Sequence, residues 1–122
     1  YPDRYSLVVL HHNILSTRSA WLDQHCLNNS EQLAEVLRNY PNVRAILHGH
    51  IHQEVDDIWQ NYRIFATPST CIQFKPNCDD FTLDLLPQGW RELNLFDDGH
   101  IETQVKRLNS NEFLPDFKSK GY

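Results

Sequence analysis

The 122 residues suffice for one domain with a buried core, and their formal charge of −5 comes with no basic run. Nonspecific nucleic-acid binding needs Lys and Arg to neutralise phosphates, so that class is excluded. A membrane-spanning helix is excluded too, because no apolar stretch approaches the ~20 residues it requires. With so little positive charge, an anionic substrate would need a strong local cation, and a bound metal is the obvious source. The chain begins at Tyr1 and contains no methionine, which is expected of a fragment or a processed chain. Cys26, Cys71 and Cys78 make an odd count without zinc-knuckle spacing. They read as unpaired thiols of a reducing compartment, and a cytoplasmic location is expected.

In chain order, residues 6–10 form a short apolar run rich in β-branched side chains, the pattern of a strand buried on both faces. It ends abruptly at His11-His12-Asn13. A helix capped by Asn29 or Ser30 is expected to run to about Tyr40, with Leu33, Val36 and Leu37 as its apolar stripe and Pro41 ending it. Residues 43–47 read as a second buried strand, ending at His48-Gly49-His50-Ile51-His52. Antiparallel hairpins follow. Residues 55–59 and 63–66 flank a turn at Gln60-Asn61, and 82–86 and 90–96 flank Pro87-Gln88-Gly89. Asp98-Gly99 signals a type I′ turn into 101–108. The fold class is therefore α/β with a mixed sheet, strand-helix-strand and then an antiparallel meander. Residues 1–108 form the domain portion and 109–122 a polar tail.

Five of the seven histidines lie at the ends of the two buried strands. Adjacent parallel strands would bring both groups to one sheet edge, and imidazole is the commonest ligand for divalent transition metals. In extended backbone His48, His50 and His52 share a face, whereas His11 and His12 point apart, so only one of that pair would ligate easily. Gly49 permits a tight bend or a close approach to a metal. The blander alternative is that such histidines simply bond to nearby backbone.

Val8-Val9-Leu10-His11-His12, followed by Ala45-Ile46-Leu47-His48-Gly49-His50-Ile51-His52, resembles the last two motifs of the calcineurin-like metallophosphoesterases. Trp21-Leu22-Asp23-Gln24-His25, Gly49-His50-Ile51-His52-Gln53-Glu54, the segment from Ala66-Thr67-Pro68 through Lys75-Pro76, and the closing Gly121-Tyr122 narrow the likeness. They resemble the bacterial class III 3′,5′-cyclic-AMP phosphodiesterases, of which this would be the C-terminal portion.

That resemblance implies a β-sandwich with flanking helices and two divalent or trivalent metal ions (iron, manganese or zinc) about 3.5–4 Å apart. It implies hydrolysis of cyclic AMP to AMP through a metal-bound hydroxide. His11 and His50 would ligate one metal and His52 the other, with His12 holding a ligand or a bridging water in place. Ser69 and Thr70, with Gln73 and Lys75, are weaker candidates for nucleotide contact, and no catalytic residue is assigned within the chain. Two positions depart from the family pattern: Asn13 replaces a proline, so a less rigid turn is expected, and His48 replaces a small or apolar residue. Asp23-Gln24-His25 and Asp98-Gly99-His100 mimic an earlier family motif in the wrong place, so neither is expected to ligate. The remaining ligands are expected upstream of Tyr1, in a missing N-terminal half without which the chain would be inactive.

The implied partners are a cyclic nucleotide, that N-terminal half and, in a homodimer, a second copy of the chain. The copy is suggested by Val8, Leu10, Ile46, Phe65 and Phe81, expected to form an apolar face left open. Two competing readings remain: another phosphoesterase of the superfamily (a phosphatase or nucleotide pyrophosphatase), or a non-enzymatic module with vestigial histidines.

Overall fold

The computed structural model describes residues 1, 3–110 and 112–118; Gly121 and Tyr122 lie outside them. A four-stranded mixed sheet has the order β1-β2-β4-β3, from β1 (Ser6–Leu10), β2 (Val43–His48), β3 (Val55–Trp59) and β4 (Tyr62–Ala66). β1 and β4 both run parallel to β2, and β3 closes antiparallel on β4. The registers Leu10↔His48 and His48↔Ala66 align the ends of three strands, which places the two histidine groups at one edge.

Alternation along β2 and β4 divides their side chains between two faces. Ile46 and Ile64 pack with Ile14, Leu37 and Val43 beneath α2 (Ser30–Leu37). Ala45 and Phe65 face the other way, onto Ile101 and Leu93 of the ribbon formed by β5 (Gly89–Leu95) and β6 (Ile101–Arg107). The sheet is thus covered by a helix on one side and a two-stranded ribbon on the other. Ile46 and Phe65 are fully buried, so the expectation that they form an open apolar face is corrected. The exposed apolar side chain on β1 is Val9.

Arg91 ties the ribbon to the sheet. Its guanidinium donates to the carbonyls of Ala66 (3.1 and 2.9 Å) and Val55 (2.9 Å) and to the Thr103 hydroxyl (3.1 Å).

Several elements differ from expectation. The helix ends at Leu37, and Ala34, not Val36, is its buried partner to Leu37; Val36 is exposed. Residues 82–86 form no strand, only an isolated bridge from Leu83 to Phe74. The ribbon turn is not type I′, because Asp98 lacks the positive φ that turn demands. Gly99 alone has it (φ +83), and its N–H donates to Phe96 O across a longer loop. The Gln60-Asn61 turn does match type I′, with φ values of 50 and 72. A four-residue helix, α1 (Ala20–Asp23), was not foreseen. It is pinned by buried Leu22 and by Trp21 N–H donating to Asp79 O.

Candidate metal centre

β1 stops at Leu10, and the chain bends through His11 and His12 rather than remaining extended. Alternation therefore does not apply there. Both imidazoles reach the same place as His50, and one ligand nitrogen from each of His11, His12 and His50 lies within 4.8 Å of the others. The ring centroids are 5.0 Å apart for His11–His12, 5.1 Å for His11–His50 and 4.7 Å for His12–His50.

Beyond β2 the chain does not stay extended either. Ile51 N–H donates to Gly49 O at 2.7 Å, closing a three-residue turn around His50, whose φ is +65. This is the γ-turn form with positive central φ, the rarer and more strained of the two. His52 repeats the left-handed conformation at φ 50. Such backbone costs an L-residue roughly 1–3 kcal/mol and persists only where its surroundings enforce it. Burial of Ile51 between the two histidines is one such constraint, since it packs with Leu22, Ala66 and Phe74. Gly49 has no positive φ, and a Cβ there would meet nothing within 4 Å, so the bend does not depend on glycine freedom.

Burial, and after it the proximity of His12, His11, His25 and His52, pushes the His50 pKa down to about 4. The ring is therefore neutral at pH 7, and its buried Nε2 has no hydrogen-bond partner among the described residues. A neutral imidazole with an unsatisfied nitrogen, beside two more imidazoles, suits a transition metal, so this donor set fits the metal that the motifs imply.

His52 stands outside the trio, stacked on Phe74 with centroids 4.1 Å apart. Its buried Nδ1 is also unpartnered. Burial lowers its pKa, opposed by the hydrogen bond that the ring donates to the Ile72 backbone carbonyl, and His11 lowers it further. His48 is buried with Nδ1 3.0 Å from Gly49 O, where an Nδ1–H donates and holds the base of the turn. Ser69 is committed to its own loop. Its Oγ accepts from Cys71 N–H, and the buried Gln73 amide bonds its backbone in both directions. Neither Ser69 nor Thr70 lines the pocket beside His50.

Asn13 does not loosen the turn after the His pair. It is buried and donates to Leu15 O at 2.9 Å, with a longer contact to Asp23. The Asp23 carboxylate accepts from Ser16 Oγ (2.6 Å), Thr17 N–H (2.8 Å) and Thr17 Oγ1 (2.8 Å). Burial alone would raise its pKa, but those hydrogen bonds outweigh it and the net shift is downward. Asp23 thus braces the loop that leads into α1, and α1 carries His25 to within 5.9 Å of His50, ring to ring. Sequence spacing gave no warning of that approach, because His25 follows a short helix rather than a strand.

No family model matches the chain. Over 121 residues, 99% of its length, it is 60% identical to the 3′,5′-cyclic adenosine monophosphate phosphodiesterase CpdA of Haemophilus influenzae and 50% identical to that of Escherichia coli K12. It is 40% identical over 107 residues to the 3′,5′-cyclic-nucleotide phosphodiesterase alr5338 of Nostoc. The likeness to cyclic-AMP phosphodiesterases read from the motifs therefore holds along almost the whole chain. The chain spans 44% of the length of the two CpdA relatives and 40% of the Nostoc protein.

Proposed function

We propose that the chain is the C-terminal portion of a two-metal phosphodiesterase that opens the 3′,5′-cyclic phosphate of cyclic AMP to AMP. The observation that carries this reading is the convergence of His11, His12 and His50, in a sequence 60% identical to such an enzyme over 99% of its length. His11 and His50 would hold one ion and His52 the other, with the remaining ligands supplied by the rest of the enzyme. When bound, the metals supply Lewis-acid charge at phosphorus and an activated water.

The chain's own residues prepare the site. His50 stays neutral at working pH, the γ-turn directs its ring toward His11 and His12, and His48 anchors that turn from below. His12 offers a nitrogen within 4.8 Å of those of His11 and His50, so it serves either as a ligand or as the group that orients one. Residues 1–108 form the domain portion. Residues 109–122 are the tail, within which the Phe113 carbonyl accepts from Gln88 Nε2 at 2.7 Å. The trio contains no carboxylate, so these 122 residues alone should not turn over cyclic AMP.

The test is hydrolysis by the full-length protein, comparing cyclic AMP with phosphomonoesters and a dinucleotide pyrophosphate. Preference for cyclic AMP, and a loss on the order of 100-fold or more in kcat/KM for His50→Ala, is expected from removing a metal ligand. Preference for either other class would move the chain to the phosphatase or pyrophosphatase reading. Full activity of His50→Ala would remove the metal assignment.

A further inference from the structure

An open pocket of about 920 Å³ adjoins the histidine trio, with His25 and His50 among its walls. Trp21 and Phe81 form another part of the wall, their rings edge to face at 5.1 Å. Phe74 is buried against both, at 4.9 and 5.5 Å, so their positions are fixed from beneath. Phe117 and Lys118, from the chain beyond β6, also line the pocket. Phe117 is 43% exposed. Large aromatics half-open to solvent, imidazoles, an ammonium group and the Asp80 carboxylate around one cavity suit a flat π-system that carries both hydrogen-bond donors and an anion. Aliphatic lipid would leave the imidazoles and the lysine unsatisfied, and a bare phosphate would not use the aromatic walls.

We propose that Trp21, Phe81 and Phe117 are specificity-determining residues of this site: the base of the bound nucleotide lies against them in the pocket, with its phosphate toward His50. The residues after β6 thereby become a specificity-determining wall of the site. The proposal rests on the phosphodiesterase reading above, which names cyclic AMP as substrate but assigns no residue to its base. Base–aromatic stacking is tolerant of sequence and energetically large enough to dominate selectivity between a nucleotide and a base-free ester. Lys118 adds a cation without fixing which base is bound.

The full-length, metal-loaded protein supplies the test, as wild type, Phe81→Leu and Phe117→Ala. Two quantities are read: the ratio of kcat/KM for cyclic AMP to that for methyl p-nitrophenyl phosphate, and the calorimetric affinity for 5′-AMP against inorganic phosphate. Each variant should lower the ratio about 10- to 100-fold and weaken AMP binding by a similar factor, while phosphate affinity stays put. Phe117 lies at the surface, so its replacement should not unfold the protein. An unchanged ratio with unchanged AMP affinity in both variants would overturn the proposal, as would parallel loss of AMP and phosphate binding. A wild type that binds AMP through these aromatics yet fails to hydrolyse cyclic AMP would overturn the phosphodiesterase reading and leave the pocket assignment standing.

Discussion

His50 combines a strained backbone, an unpartnered nitrogen and a pKa held near 4 by burial and neighbouring imidazoles. Its folded pKa lies below the ordinary 6.5, so the unfolded chain binds the extra proton first as pH falls. Stability should be intact above about 6.5, decline down to about 4, and be flat with respect to this group below that. A metal-free NMR titration should show the His50 ring changing charge near pH 4; a midpoint near 6.5 would show that the cluster is looser than described. Gly49 offers the contrasting case. Because its backbone is not left-handed and space surrounds the missing Cβ, Gly49→Ala should change metal-free stability by no more than about 0.5 kcal/mol. A large loss in chemical denaturation would mean that the turn depends on glycine after all. Asp23 completes the residue scale. Removing its carboxylate in Asp23→Ala strands the donors of Ser16 and Thr17 and should cost about 1–3 kcal/mol at neutral pH. Because the folded pKa is depressed, the carboxylate's contribution should fade as acid protonates the wild type. An equal gap between the two proteins at every pH would contradict that role.

Among the elements, Arg91 joins the ribbon to the sheet through the backbone carbonyls of Ala66 and Val55, and its bond to the Thr103 hydroxyl stays within the ribbon. Lysine has one nitrogen and no planar fork, so Arg91→Lys should destabilise by about 2–3 kcal/mol, measured by denaturation, although charge is preserved. No loss would show that the ribbon docks through its apolar contacts alone. The buried strands and the Gln60-Asn61 turn were legible from local pattern, since apolar runs and positive-φ turn residues act over a few positions. The docking of Arg91 was not, because its partners lie 25 and 36 residues away. Val36 misled for a related reason. Leu33, Val36 and Leu37 define one plausible stripe, but only Leu37 and Leu33 pack into the core with the sheet, while Ala34 is buried and Val36 is left exposed. Strand alternation also failed beyond Leu10 and His48, where both chains leave the extended state, and that departure brings His12 into the trio and leaves His52 outside it.

At the scale of the molecule, helix and ribbon cover the two faces of one sheet, so the chain buries Ile46, Ile64 and Phe65 without help from elsewhere. Among the described residues β1 and β3 are the sheet's edges, and β1 carries exposed Val9 beside the histidines. An added strand or a second copy would meet the chain there rather than on a broad apolar face. No helix among the described residues is long and apolar enough to cross a membrane. The proposed chemistry requires metal bound at the His11–His12–His50 edge. Its sharpest test is the metal content, by inductively coupled plasma mass spectrometry, of the full-length protein and of a folded His11→Ala/His50→Ala double variant. Two iron, manganese or zinc ions per wild-type chain, with at least one lost in the variant, is the predicted result; equal metal content in the two proteins would contradict it.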